Sequence, residues 1–239
     1  PLGALMPAIA IPAPVGGWNA RDALDKMPAT DAVRLDNWIP RAGYVESRKG
    51  FVIAVTDISG GTPPYTGLGG PVESLIAYRG TASTKLLAAA DGDIWNITSS
   101  TAVSLATGFT NDRWQYTAFD NLTVLTNGQD TPQVFNGTAL SAATITGPSV
   151  PGSLWGCNTF KGRVYYWQQN AQGFYYAAAG AYQGALTFFD MSQQLQTGGT
   201  LVMMVTWTLD SGSGIDDLAA FVFSTGEVLL YQGDDPGDA

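Results

Sequence analysis

The side chains that could do chemistry in this sequence are carboxylates, because the 239-residue chain has no histidine and a single cysteine, Cys157. Neither a Ser–His–Asp nor a Cys–His nucleophile can be assembled without histidine, and a Cys/His metal site is excluded too. Neighbouring carboxylates could hydrolyse a glycoside if they faced a sugar cleft, or could bind calcium near the end of the sequence. The candidates are Asp91/Asp93, Asp216/Asp217 and Asp234/Asp235 with Asp238.

All of these carboxylates lie in Gly-rich stretches, where aspartate commonly bonds its own backbone in a turn. The sequence also has no phosphate-binding lysine loop and no dinucleotide fingerprint. We therefore predict no catalytic residue, no metal site and no cofactor. The lone cysteine is expected to be a buried structural thiol.

Aromatic side chains are the second chemical candidate. Five of them crowd one stretch that reads as a hairpin, namely Tyr165, Tyr166, Trp167, Tyr175 and Tyr176. Core packing is the simpler interpretation. A carbohydrate-binding or subunit-contact face is the functional one, because aromatic rings suit both.

Charge is scarce and unevenly distributed. Only 13% of the residues are charged, against about a quarter in typical soluble domains, so we expect partners to cover part of the surface. The net charge is −9, and the residues from Val164 onward include eight acids and no Lys or Arg. Such a surface repels a polyanion, so stable nucleic-acid binding is disfavoured. No apolar run approaches the length of a membrane span.

Short β-type runs separated by turn residues dominate the sequence after residue 60. Four strand–turn–strand motifs centre on Gly92, Gly128, Gly173 and Gly226, which are 36, 45 and 53 residues apart. Another strand-like run precedes each motif, at 73–79, 113–120, 153–161 and 200–208. A fourth run follows three of them, at 102–106, 139–144 and 186–191. This period is typical of four-stranded propeller blades, and a β-sandwich of regular meanders is the alternative.

We therefore predict an all-β protein with a propeller-like array of four-stranded blades behind an N-terminal arm and clamp. The arm and clamp occupy residues 1–60 and the array residues 61–239. The blades are expected at about 61–108, 109–147, 148–192 and 193–239, and the array is expected to continue beyond the last residue. Helix is nearly absent, and only Thr30 is placed to cap a short helical turn that Pro40 ends. A strand is expected over 43–51.

The clamp segment, Gly16 to Phe51, combines six basic with five acidic residues around two tryptophans. Its net charge of about +1 is too small to attract phosphate strongly, so an assembly element is the better interpretation. The candidate interface residues are Trp18, Asn19, Arg21, Asp22, Thr30, Asp31, Leu35, Asp36, Trp38, Arg41 and Arg48.

The clamp segment, GGWNARDALDKMPATDAVRLDNWIPRAGYVESRKGF, resembles the N-terminal segment of tail tubular or nozzle proteins of short-tailed bacteriophages, which contain propellers. The resemblance implies a non-enzymatic virion protein in the phage tail that forms a homo-oligomeric ring, expected to be six-fold. The implied partners are the tail adaptor and other tail proteins. Double-stranded DNA would be retained by the ring and then pass through it without specific binding.

An acidic second half suits a channel in which DNA must slide, so Asp210, Asp216 and Asp217 are predicted to line it. Three other functions stay open. One is a carbohydrate-binding propeller, such as a receptor-binding tail component or a lectin. The others are a head–tail connector hub and a propeller glycosidase or lyase.

Overall fold

The computed structural model of the protein describes residues 12–50, 52–61, 67–210 and 215–238, without the side chains of 208–210, 215–216 and 238. The fold is all-β, with 45% strand and 2% helix, which confirms the predicted class. Several small sheets make up the fold, and no closed barrel or propeller is identified among the described residues. The chain divides into two compact units, Pro1–Ile53 and Ala54–Ala239.

The first unit contains two pairs of short strands. Strands β1 (Gly17–Trp18) and β2 (Asp31–Ala32) pair in parallel, and β3 (Trp38–Arg41) and β4 (Tyr44–Ser47) form an antiparallel hairpin. The strand predicted over 43–51 forms only at Tyr44–Ser47, and Phe51 lies outside the described residues.

The helical turn predicted after Thr30 does not form. The Thr30 carbonyl accepts the N–H of Gly16 at 2.8 Å, and the next two residues form β2 instead. Parallel pairing with β1 therefore takes up the backbone groups that a helical turn would have used.

The second unit contains four successive antiparallel sheets, whose strands follow one another in the chain except that one short strand separates the last two strands of the third sheet. The first sheet consists of β6 (Ser74–Arg79), β7 (Thr84–Ala90), β8 (Asp93–Asn96) and β9 (Thr101–Ala106). The second consists of β10 (Gln115–Phe119), β11 (Leu122–Thr126), β12 (Gln133–Phe135) and β13 (Leu140–Ala142). The third consists of β15 (Leu154–Phe160), β16 (Arg163–Gln168), β17 (Gly173–Tyr176) and β19 (Thr187–Asp190). The fourth consists of β20 (Leu201–Asp210), β21 (Ile215–Phe223) and β22 (Val228–Tyr231).

Two further strand pairs lie outside this simple order. Before the first sheet, β5 (Asp57–Ile58) pairs in parallel with the start of β9. Before the third sheet, β14 (Ile145–Thr146) pairs in parallel with β18 (Gly184–Ala185), which directly precedes β19. In both cases the segment that leads into a sheet returns to the region of that sheet's last strand. Two short 3-10 helices, Pro151–Ser153 and Pro236–Asp238, complete the secondary structure.

In three of the four sheets, the turn between the second and third strands contains the predicted glycine in a left-handed conformation. Asp91 and Gly92 have φ values of 56° and 77°, as a two-residue type I′ hairpin requires. Gly128 and Gly226 are also left-handed. In the third sheet the left-handed residue of the turn is Asn170.

Gly173, which was predicted to lie in that turn, is instead the buried first residue of β17. A Cβ atom there would come within 2.3 Å of the Phe189 carbonyl oxygen. Close approach of a neighbouring strand, and not a turn, explains this glycine.

Consecutive sheets enclose separate apolar cores between their faces. Leu125 of the second sheet packs with residues of the first sheet such as Ile76, whereas its neighbour Val124 packs with Tyr166 of the third. Tyr165 points the other way, into a core shared with the fourth sheet. Because successive strand residues point to opposite faces, the continuous apolar runs of the sequence bury side chains on both sides of the middle sheets.

In two of the turns, a carboxylate accepts hydrogen bonds from the chain segment that leads into the same sheet. Asp130 accepts the backbone N–H of Thr110 at 2.9 Å and its hydroxyl at 2.8 Å. Glu227 does the same for Thr197, at 2.9 and 2.7 Å, and also accepts the N–H of Gln196. The second and fourth sheets therefore share these carboxylate–threonine hydrogen bonds as well as the same order of strands.

Candidate functional site

The Asn19 side chain organises the first unit. Its Nδ2 group donates to Asp22 at 3.0 Å and to Asp31 at 2.8 Å. Its Oδ1 atom accepts the backbone N–H groups of Arg21 and Asp22, both at 3.1 Å. The Arg21 guanidinium in turn bonds Asp22 at 3.0 Å. The structure thus brings four predicted interface residues into one hydrogen-bonded network.

The carboxylate of Asp22 is held in its charged form by this network. The hydrogen bond from Asn19, followed by that from Arg21, lowers the pKa of Asp22 below its ordinary value. Asp22 and both of these partners lie in the connection between β1 and β2.

Both glycines at the start of the segment are needed for this geometry. A Cβ atom on Gly16 would lie 2.0 Å from an oxygen of the Asp31 carboxylate. Gly17 has a φ of 95°, which side chains rarely tolerate. It is also the only buried residue that the structure describes in the first unit.

The Trp18 ring is fixed in orientation and open to solvent. Its Nε1–H donates to the carbonyl of Val33 at 3.0 Å, and 70% of the residue remains exposed. One shallow hollow beside the ring is lined by Asn19, Arg21 and Asp31. A second is lined by Leu35 and its neighbours. The indole is thus pre-oriented between one polar hollow and one that also includes Val33 and Leu35.

Further large apolar side chains of the first unit are exposed as well. They are Leu24, Val33, Trp38, Tyr44, Val52 and Ile53. A unit of this size that buries none of its described large side chains cannot be stabilised by an apolar core alone.

The other predicted interface residues take separate places. Arg41 bonds Glu46 at 2.8 Å across the β3–β4 hairpin, and the Arg48 N–H donates to the Asn37 carbonyl at 2.6 Å. Asp36 pairs with Arg34 on the surface. Leu35 is half-buried, and Thr30 is exposed and contributes its carbonyl to Gly16.

The predicted channel-lining residues lie at one end of the β20–β21 hairpin, where Thr208 pairs with Asp217 and Leu209 with Asp216. Asp217 is half-buried. The side chains of Asp210 and Asp216 are outside the described part of the structure, and the channel assignment stays a prediction.

Two of the carboxylate pairs have identified structural roles. Asp91 is a left-handed turn residue. Asp234 binds Lys161 and Asp235 binds Arg163, both at 2.7 Å. The pKa of Asp235 is lowered, mainly by the Gly237 N–H. These ion pairs join residues more than 70 positions apart, and no local sequence signal could have revealed them.

The aromatic side chains of the β16–β17 hairpin pack in or against the apolar cores. Tyr165 and Tyr166 are fully buried on opposite faces of β16, and burial raises the pKa of both hydroxyls. Trp167 is buried and donates to the Val202 carbonyl at 3.1 Å. Tyr176 is buried as well, whereas Tyr175 is half-buried against Phe188. Four of the five rings are therefore unavailable as a carbohydrate platform. Cys157 is a buried free thiol, as predicted, and burial raises its pKa to about 12.

Neither a metal-ligand cluster nor a membrane-spanning helix is present among the described residues. Within the described ranges, no three His, Cys, Asp or Glu side chains are grouped as metal ligands would be. No helix in the described part of the chain has the length and apolarity to cross a membrane. No protein-family model matches the chain, and no curated protein gives a significant match.

Proposed function

We propose that this chain is a non-enzymatic structural subunit of the tail of a short-tailed bacteriophage, where copies of it form a ring that retains DNA and later lets it leave. The observation that carries the proposal is the Trp18 site. In the clamp segment, the Val33 carbonyl accepts the indole N–H of the outward-facing Trp18, and the next residue, Asn19, is the centre of a polar network. This arrangement supports a role in assembly.

The sheet architecture supports the same proposal. Four consecutive antiparallel sheets stack face to face with an apolar core between each pair. Stacked sheets of three to four strands are the building pattern of propeller blades. We infer that residues 54–238 are a propeller-like array and that the first unit is its assembly clamp.

Charge supports the DNA part of the proposal. The second half of the chain has no Lys or Arg after Arg163, so it offers phosphates no counterion-releasing contacts. A lumen lined by such a surface would let duplex DNA slide.

Ring formation tests the proposal directly. Purified protein is imaged by electron microscopy, and we expect six-fold rings with a central channel wide enough for duplex DNA. Trp18→Ala should weaken ring formation by roughly 30-fold, as for a hot-spot residue, while leaving the far-ultraviolet circular dichroism unchanged.

Tyr116→Ala is the matched control, because Tyr116 is another exposed aromatic residue but belongs to β10 in the second unit. It should leave the rings intact. A protein that stays monomeric at all concentrations would refute the ring, and rings unaffected by Trp18→Ala would refute the role of this site.

A further inference from the structure

The outward face of the fourth sheet consists of apolar side chains. Met204, Ala219 and Phe221 point into the core shared with the third sheet. Because successive side chains of a strand point to opposite faces, the residues that alternate with these point away from that core. Among the residues whose side chains the structure describes, the outward ones on the three strands are Met203, Val205, Trp207, Leu218, Ala220, Val222, Val228 and Leu230.

Much of this face is open to solvent. Trp207 is 61% exposed and Leu230 is 62% exposed, and Met203 and Val228 are exposed as well. The outward residues named above include no charged or hydrogen-bonding side chain other than the Trp207 indole. Contiguous apolar patches of this kind mark interaction surfaces in folded proteins.

The chain itself shows what such a face packs against. At the second and third internal junctions, the first strand of the later sheet contacts the first two strands of the earlier sheet, and at the first junction the first strand of the earlier sheet contacts the first two strands of the later one. The contacting pairs are β6 with β10 and β11, β15 with β10 and β11, and β20 with β15 and β16. The partner of an inner sheet face is therefore the first strand of another sheet.

The first sheet has an outward face on its first strand. Ile76 and Tyr78 point into the core shared with the second sheet, so Leu75 and Ala77 point outward on β6. Leu75 is 56% exposed, and Leu86, beside Ala77 on β7, is 40% exposed. Farther across this sheet, Ala88 and Ala90 are already covered with Leu68. The open part is thus the first-strand region that the internal junctions use.

We propose that the outward face of the fourth sheet docks onto the Leu75–Leu86 region of the first sheet in a second copy of this chain. The contact repeats between copies the packing that joins successive sheets within one copy. It is head-to-tail, because two different faces meet, and head-to-tail contacts generate rings when the rotation closes. The inference deepens the proposed ring and rests on it only in requiring that copies associate.

Two substitutions each destroy one side of the contact. Trp207→Glu places a charge on the fourth sheet, and Leu75→Glu places one on the first; Leu230→Glu and Leu86→Glu are second variants of the same faces. Association measured by sedimentation velocity should weaken by roughly 30-fold or more for each. Val150→Glu, at an exposed valine outside both faces, should associate like the unaltered chain. Circular dichroism and thermal unfolding confirm that each variant is folded.

Mixing the two variants distinguishes the orientation. Trp207→Glu keeps an intact first sheet and Leu75→Glu keeps an intact fourth sheet, so one good contact can form between them. We expect each variant alone to be monomeric and the mixture to give a heterodimer that grows no further. If only the fourth-sheet variants weaken association and mixing restores nothing, the fourth sheets pack on each other and the proposal is overturned.

Other outcomes separate this inference from the proposed function. Six-fold rings that all four variants leave intact would overturn the docking contact and leave the ring proposal standing. Association that depends on both faces but builds no six-fold ring would support the contact and count against the proposed function. If the unaltered chain is monomeric, both fail.

Discussion

Glycine serves different purposes at positions that look alike in the sequence. Gly92 has a left-handed φ, and its N–H donates to Asp112 at 2.9 Å. Gly173 is not left-handed and instead lets a neighbouring strand approach. Both lie at the start of the third strand of the same motif, Gly92 just before β8 and Gly173 as the first residue of β17. Spacing alone therefore predicted two turns where the structure has one turn glycine and one packing glycine.

Gly92→Ala should destabilise the protein more than Gly108→Ala does. Both glycines have positive φ, 77° and 85°, so each alanine pays about 1–2 kcal/mol of backbone strain. A Cβ at Gly92 also lies 2.8 Å from the Phe109 carbonyl oxygen, whereas nothing lies within 4 Å at Gly108. Urea unfolding measures the difference. Equal losses of stability in the two variants would show that the Phe109 contact relaxes freely.

At the scale of elements, the sequence predicted strands better than their partners. The four first strands and the fourth strands in three sheets lie where the runs indicated them, because period and turn residues are local signals. The parallel pairs β5–β9 and β14–β18 were not predicted. Each joins segments about 40 residues apart through two-residue strands, and so short a strand carries no periodicity.

The hydrogen bonds that the Glu227 carboxylate accepts should make the stability of the protein depend on pH. Hydrogen bonds from Gln196, then from Thr197, lower the pKa of Glu227 below its ordinary value of 4.5. A lowered pKa contributes stability above the unfolded-state pKa, and this contribution is lost as pH falls through the folded-state pKa. Glu227→Gln, which loses one accepting oxygen, should lower the melting temperature at pH 7.

The two proteins should converge at acidic pH, where the carboxyl group of the unaltered chain is protonated. Differential scanning calorimetry between pH 7 and pH 3 makes the comparison. A difference in melting temperature that stays constant over this range would contradict the electrostatic origin of the effect.

At the scale of the whole molecule, the sequence predicted the all-β class and the order of four sheets, but not the relations among distant parts. The Lys161–Asp234 and Arg163–Asp235 pairs, like the Asn19 network, depend on geometry that composition does not encode. The candidate site was predicted as a set of residue types. The arrangement of the site, with Asn19 at the centre of the network and Trp18 pointing outward, became visible only in the structure.

The second unit should fold without the first. Among the described residues, every member of its four apolar cores lies at or beyond Val55, and the chain divides between Ile53 and Ala54. A protein beginning at Ala54 should unfold in one cooperative transition and protect the same strand amides from hydrogen exchange. Loss of protection throughout the first sheet would show that residues before Ala54 are required for folding.

The parallel pairing of β5 with β9 has a consequence for aggregation. An unpaired outer strand offers its free backbone groups as a template for another chain. The β5 segment occupies those groups at the start of β9, and the β14–β18 pair lies directly before β19, the corresponding strand of the third sheet. Sideways growth into fibrils is thus obstructed where β5 covers the start of β9, even in a chain rich in β-forming residues.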